Sequence, residues 1–344
     1  MKVTVIIPIY NTFKSLTQCV NSVLSQTLKD IEIVLINDGS SNSKTDKICN
    51  KYYKSYNNIK YIKKESNEGV EMARLDGIYI AEGKYIFFLD SDDWIEPFTL
   101  KLLYENAEKT NADYVEIGAR YVYDSYKIFK HDINQPIIGI IEQPELFENY
   151  FISFFGDASL RVTIWGRLYR RNIFNIIKLN AYGFIYGEDL MTQLMIFPSL
   201  KKIMILKEIG YNYRYGGMSS KYNPRIFYDL KRQHLIKKNL IKKYNYHKAY
   251  PVLNYHLKEV LKSMIFQMII YGKKNRDEIL DRLKKEREDE IYEDILNIES
   301  NDIFIESFKK YEFDKIIEIF NNKMRKERKN LILKKLIKYI LRFT

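Results

Sequence analysis

Apolar runs alternate with polar breaks over the first third of the chain. Residues 3–7, 31–36, 59–62, 85–89 and 114–117 are short, nearly continuous apolar segments, and these predict buried strands. Between them, apolar positions at helical spacing predict helices near 15–25, 44–56, 70–81 and 97–110. Strands separated by helix-length connections imply crossovers and a mainly parallel sheet, so the fold class is α/β. Three strands are followed by polar loops: Pro8-Ile9-Tyr10-Asn11, Asn37-Asp38-Gly39-Ser40-Ser41 and Asp90-Ser91-Asp92-Asp93. All three are expected at one edge of the sheet, the edge where open α/β folds bind ligands. Residues 119–220 are mixed and aromatic-rich, without clean alternation. From about Ile226 the pattern turns helical and Lys-rich, and Pro251 is placed to open a helix running to about Tyr271. A boundary is expected near Asn223 and Pro224.

Length and composition narrow the class. The chain has 344 residues, enough for a large core and more than one unit. Tyr (29) and Phe (19) are plentiful while Gly (14) and Pro (7) are scarce, which argues against a disordered or fibrous chain. Cys19 and Cys49 form no metal-ligand spacing and are too few for a disulfide scaffold, so a reducing, cytoplasmic location is the simplest reading. A first strand beginning at Val3 leaves no room for a signal peptide. No stretch reaches the roughly 18 apolar residues of a membrane-spanning helix.

The net charge of +12 is uneven. Residues 323–344 hold nine Lys or Arg and one acid, Glu327, so the tail accounts for two thirds of the excess. A nearly balanced body argues against a nucleic-acid partner. Within 331–343 the apolar residues fall on one helical arc, with Lys334, Lys335, Lys338 and Arg342 opposite. Three readings fit: a terminal helix packed on the body, a helix lying on an anionic membrane surface, or a contact in a homo-oligomer. The membrane reading is slightly favoured.

The loops carry the candidate chemistry. Clustered carboxylates repel one another unless a cation lies among them, and Mg²⁺-type ions take one or two carboxylates and complete their shell with phosphate and water. The plainer alternative is an acidic turn capping the next helix, with Pro97 near its first turn. Asp38 can accept a hydrogen bond from a base N–H or a ribose hydroxyl, or it can serve as an ordinary turn residue and N-cap. Tyr10 can stack on a flat ring or join the core. Glu188 and Asp189 precede an apolar helical stretch, 190–197, where acids cap a helix and its N-terminus stabilises their charge. Trp165 is a core or pocket-wall aromatic, or a surface for a sugar. His131, His234, His247 and His256 sit in no ligand-like spacing. No Gly-x-Gly-x-x-Gly follows the first strand, and no Gly-x-x-x-x-Gly-Lys-Ser/Thr occurs, which argues against a dinucleotide site and a P-loop.

Taken in order, Pro8-Ile9-Tyr10-Asn11, Asn37-Asp38-Gly39-Ser40, Asn67-Glu68-Gly69 with Ala73-Arg74 and Gly77, and Asp90-Ser91-Asp92-Asp93 resemble the family 2 glycosyltransferases with a GT-A fold. Trp165-Gly166-Arg167-Leu168-Tyr169-Arg170-Arg171 and Gly187-Glu188-Asp189-Leu190 resemble that family's acceptor-side segment. The likeness covers about residues 1–220. It implies a GT-A domain over 1–225, with a nucleotide-binding half (1–118) and an acceptor-side half (119–225), followed by a helical region over 226–344.

The resemblance also implies roles. Pro8, Tyr10, Asn11, Asp38, Gly69, Arg74, Asp90 and Ser91 would form the nucleotide pocket. Tyr10 and Asp38 would hold the base, most often uracil, and Asp90 would face the ribose. Asp92, with Asp90, would bind Mn²⁺ or Mg²⁺ on the diphosphate. Asp189 would be the catalytic base, with Glu188 and Trp165 on the acceptor side. The implied activity is inverting, metal-dependent transfer of one sugar from a nucleotide-sugar donor, most often UDP-linked, to a glycan or lipid-linked acceptor. The setting would be bacterial surface polysaccharide synthesis at the inner face of the cell membrane. The Gln-x-x-Arg-Trp motif of processive relatives is absent. The alternatives are a nucleotidyltransferase, or an inactive GT-A-like scaffold that binds nucleic acid or a partner.

Overall fold

A computed structural model describes residues 1–123, 129–132, 137–157, 159–176, 183–214, 225–272, 274–296, 301–323 and 325. The chain divides into two compact units, Met1–Ser220 and Lys221–Thr344. The boundary expected at Asn223 and Pro224, and all of the basic tail except Lys323 and Arg325, fall outside the described residues. The membrane and oligomer readings of that tail therefore lie outside them as well.

In the first unit, the five strands and four helices expected within residues 1–118 all form, joined by one short strand that was not expected, Trp94–Ile95. They are β1 (Val3–Ile9), α1 (Leu16–Leu24), β2 (Ile31–Asn37), α2 (Ser43–Ser55), β3 (Ile59–Lys63), α3 (Val70–Ile80), β4 (Tyr85–Phe88), a two-residue β5 (Trp94–Ile95), α4 (Thr99–Thr110) and β6 (Tyr114–Tyr123). Then come β7 (Phe129–Asp132), β8 (Gly139–Glu142), β9 (Arg167–Arg170), α5 (Asn172–Ile176), α6 (Glu188–Ile196) and β10 (Lys202–Arg214). The sheet order is β3-β2-β1-β4-β9-β6-β10-β5, with β7 added to β6 and β8 to β10. Strands β3, β2, β1 and β4 run parallel, whereas β9 is antiparallel to both of its neighbours.

Every residue of β1 and β2 is buried, as their unbroken apolar runs predict for strands covered on both faces. Two polar residues there are satisfied in place. The Thr4 hydroxyl donates to Glu32 at 2.5 Å, and Glu32 pairs with Lys60 at 2.5 Å. Helix α3 packs on β1 and β2, and the approach needs Gly77: a Cβ at that position would lie 2.4 Å from Cγ2 of Ile6.

Strand β9 was hidden in the sequence by its two arginines. Arg167 is 0% exposed and Glu116, on β6, is 2% exposed. Glu116 accepts from Arg167 at 2.5 Å and from Arg161 at 2.7 Å. Burial alone would raise the Glu116 carboxyl pKa, but the two guanidiniums override it and hold the group below its ordinary value. Arg161 also stands over the Trp165 ring, 5.3 Å from its centroid.

The second unit is helical over its described residues. It contains α7 (Ile226–Lys243), α8 (Tyr250–Tyr271), α9 (Arg276–Arg287), α10 (Glu293–Leu296) and α11 (Ile303–Lys309), with a further helix over 313–323. Pro251 sits in the first turn of α8, where its missing N–H costs nothing, and the helix runs to Tyr271 as expected. Asn275 and Glu278 close a capping box on α9. Among the described residues, no helix is long and apolar enough to cross a membrane.

Removing one member of a buried ion network strands the others. We expect Glu116→Gln to destabilise the first unit by about 3–5 kcal/mol in urea unfolding. A loss below about 1 kcal/mol would show that the two arginines do not depend on Glu116.

Candidate active site

The three polar loops leave the C-terminal ends of parallel strands β1, β2 and β4, so they emerge at one edge. Pro8 lies beyond the last β1–β4 pair, Ile6 with Phe88, where a missing N–H breaks no ladder on that side. Tyr10 follows with its ring 43% exposed, open to stacking. Asn11 adopts a left-handed backbone, φ 57°. Its amide oxygen accepts from the Asn42 N–H at 3.1 Å and the Ser41 hydroxyl at 3.3 Å, tying the first loop to the second. The N-cap of α2 is Asn42, so Asp38 is not a helix cap.

Asp38 is 2% exposed. Its oxygens accept from the N–H groups of Glu68 (3.0 Å) and Gly69 (2.8 Å), and Lys64 lies 3.3 Å away. Asp38 therefore pins the loop that opens α3, and its carboxylate keeps acceptor capacity beyond these bonds. Gly69 is the N-cap of α3 at φ 98°, a conformation that glycine adopts without strain. Gly39, at φ 64°, lies so close to the backbone of Ser66 and Asn67 that no Cβ fits.

From α3, Arg74 reaches across the edge. Its guanidinium donates to Asp90 at 2.9 Å and to Asp189 at 2.6 Å, with Glu188 at 3.5 Å. The side chain is 7% exposed. Burial opposes its charge, but Asp189, Asp90 and Glu188 together push its pKa up. The end of β4 and the start of α6 thus meet on one cation. The N-cap of α6 is Gly187, φ 80°, and the two acids occupy the first helical turn instead of the cap expected of them. Asp189 also accepts from the Ile164 N–H at 3.2 Å. Burial pushes its carboxyl pKa up against the pull of Arg74. Burial and Asp189 push Glu188 up to about 8. A narrow cleft lies beside these groups between α3 and α6, with Phe88 and Met191 in its lining.

The acidic turn is held from below by β10. The Tyr211 hydroxyl donates to Asp93 at 2.7 Å, the Arg214 N–H donates to Asp93 at 2.7 Å, and Arg214 Nε donates to the Asp92 carbonyl at 2.9 Å. The Ser91 hydroxyl accepts from Thr12 at 2.9 Å, and the Ser91 carbonyl accepts from Ser15 at 3.1 Å. Asp93 is 1% exposed and serves as an anchor. The turn does not cap α4, whose N-cap is Phe98. Asp92 differs from its neighbours: no side chain among the described residues hydrogen-bonds or ion-pairs with its carboxylate. Burial and the charge of Asp90 push it up to about 6.

Among the described residues no three His, Cys, Asp or Glu side chains converge as a self-sufficient metal cage. An unpaired carboxylate raised by a neighbouring acid is nevertheless a fitting donor for a hard cation that brings its own phosphate oxygens. Trp165 is 7% exposed, with its ring stacked on Tyr211 (4.6 Å) and Tyr213 (5.5 Å), so it lies in the wall beneath the site and presents little surface to a sugar. Tyr211, Arg214 and Lys64 were missed by sequence reasoning, because each acts through partners far along the chain or through a contact with no motif.

The sequence profile of glycosyl transferase family 2 matches residues 4–175, and the chain belongs to that family. It is 30% identical over 216 residues to glycosyltransferase GlyA of Streptococcus pneumoniae, covering 62% of this chain and 30% of that protein. It is 39% identical over 121 residues to the poly(ribitol-phosphate) beta-glucosyltransferase of Bacillus spizizenii, covering 34% of this chain and 19% of that one. The matched stretches thus span less than a third of either relative. The fold is similar to that of S. aureus TarS 1-349 in complex with UDP-GlcNAc, with a TM-score of 0.64, 19% identity, and coverage of 94% of this chain and 92% of that one. The α/β fold read from the strand and helix pattern is therefore the GT-A fold.

The Asp92 carboxyl sits above its ordinary value, so the folded protein binds its proton more tightly than the unfolded chain does. Ionising it costs stability as pH rises from about 4 to about 6, and the cost is fully present above that. Without divalent ions, we expect Asp92→Asn to stabilise the protein by about 1–3 kcal/mol at about pH 7.5, with the gain fading towards about pH 4. Thermal unfolding at both pH values checks this, and a variant less stable than the parent at the higher pH would contradict it.

Proposed function

We propose that the chain transfers a sugar from a nucleoside diphosphate donor, UDP-linked in the first instance, to a hydroxyl of a glycan or lipid-linked acceptor in bacterial surface polysaccharide synthesis. The observation that carries this reading is Arg74 joined to both Asp90 and Asp189, because it brings a donor-side acid and an acceptor-side acid within reach of one bound substrate. Similarity to GlyA and to the poly(ribitol-phosphate) beta-glucosyltransferase supports the transferase class and a surface-glycan acceptor, and the UDP-GlcNAc bound to TarS supports a UDP-sugar.

Each residue then has a role. Tyr10 stacks on the base through its exposed ring, and Asp38 shapes the same pocket by fixing Glu68 and Gly69. Asp90 faces the ribose. Asp92, with Asp90, would hold Mn²⁺ or Mg²⁺, which when bound supplies positive charge against the departing diphosphate. Arg74 exchanges its carboxylates for diphosphate oxygens in part, leaving Asp189 free to take a proton. Asp189 removes that proton from the acceptor hydroxyl as the oxygen attacks the anomeric carbon on the face opposite the leaving group, so the configuration inverts. A positioned base of this kind contributes about 10²–10⁴-fold. Burial and the neighbouring Asp189 raise Glu188, so the two acids titrate as a pair that resists carrying two negative charges at once.

We expect a panel of nucleotide-sugars with Mn²⁺ to give nucleotide release with at least one UDP-sugar. Asp189→Asn should lower turnover by about 10²–10⁴-fold while UDP binding by calorimetry is kept. Removing Mn²⁺ or introducing Asp92→Ala should weaken UDP binding itself. Release of pyrophosphate instead of a nucleoside diphosphate would assign the site to nucleotidyl transfer. Full turnover in Asp189→Asn would remove its role as base.

A further inference from the structure

The helical unit contains a second polar feature that the proposed transfer does not use. Helices α7 and α8 line a small pocket of about 10 Å³, room for about one water-sized particle. Its polar lining is Gln233, His234 and Lys237 from α7 and His256 from α8, and its remaining lining is leucine and valine. Lys237 is 2% exposed and His234 3%. Nε2 of His234 is buried without a hydrogen-bond partner. Lys237 has no ion-pair or hydrogen-bond partner among the described residues, and burial is the one influence on its ammonium, pushing it down to about 7. Burial and the neighbouring cations push His234 and His256 down to about 4.

An isolated charge in an apolar interior is costly unless something pairs with it. The unit has acids, but they are engaged elsewhere. Asp294, the carboxylate that acts on His234, is bound to Lys238 at 2.5 Å. Glu286 is bound to Lys231 and Arg282, and Asp229 to Arg225. No acid lines the cavity. A lysine serving only to fill space would be replaced to advantage by methionine or leucine. Three nitrogen bases facing one cavity, without an acid among them, form a complement for negative charge.

We propose that the α7–α8 cavity binds a compact inorganic anion, with Lys237 supplying the charge and His234 and His256 donating N–H groups. Bound there, the anion completes the hydrogen bonding of His234 Nε2 and allows Lys237 to stay protonated at neutral pH. It links α7 and α8 and so stabilises that unit increasingly as anion concentration rises above its dissociation constant. Room for about one water-sized particle suits a monatomic anion such as a halide better than a larger oxyanion, and it excludes an organic chain.

The test uses the full chain at about pH 7, titrated separately with chloride and with inorganic phosphate. A bulky organic anion holds ionic strength constant. At least one of the two should raise the thermal midpoint saturably, by about 2–4 °C, and the responsive one identifies a halide or an oxyanion. Lys237→Met should abolish the rise without lowering the midpoint measured in the organic anion alone. His256→Gln should weaken apparent affinity about tenfold, and it carries the test by itself if Lys237→Met fails to fold. A parent protein that responds to neither anion would overturn the proposal. So would a Lys237→Met variant, or in its place a His256→Gln variant, that responds as the parent does.

Discussion

One guanidinium holds the candidate site together. Arg74 is nearly buried, and its charge is tolerated because Asp90 and Asp189 accept from it at 2.9 and 2.6 Å. Conversely, these two carboxylates, with Glu188 beside them, can share a desolvated corner only because that cation lies among them. The contact joins residues far apart in the chain. Asp90 ends a central parallel strand and Asp189 begins a helix roughly a hundred residues later, so Arg74 helps to position the sheet and α6 with respect to each other, as does Gln193 of α6, which donates to the Tyr169 hydroxyl of β9 at 2.6 Å.

The acidic turn shows a related compromise. Asp93 is used up as an anchor by Tyr211 and the Arg214 backbone. No side chain among the described residues pairs with the Asp92 carboxylate, which burial and Asp90 raise to about 6. A site optimised for stability alone would place a neutral residue there. Strain of this kind, held in place by β10, is what a site for a cation and a diphosphate requires before either arrives.

The order of strands and helices up to residue 118 was legible because β1, β2 and β4 are buried on both faces and read as unbroken apolar runs. The acids at their ends could be located by the same logic. Beyond that point the pattern failed for identifiable reasons. Strand β9 carries Arg167 and Arg170, and only Glu116 on a neighbouring strand makes Arg167 an interior residue. Strand β10 shifts register between Ile205 and Tyr211, which destroys simple alternation. The hold of Asp38 on the backbone N–H groups of Glu68 and Gly69, and its pairing with Lys64, are contacts that no sequence pattern announces. Trp165 looked available, but Tyr211 and Tyr213 cover its ring.

The most direct measurement of the shared-cation claim is a double-mutant cycle on stability with Asp90→Asn and Asp189→Asn. Either change alone leaves Arg74 one strong acceptor and relieves repulsion between the acids. Both together leave a buried cation with little compensation. The double variant should therefore be less stable than the sum of the single effects by about 1–3 kcal/mol. Additivity within about 0.5 kcal/mol would contradict the view that these two carboxylates depend on the same arginine.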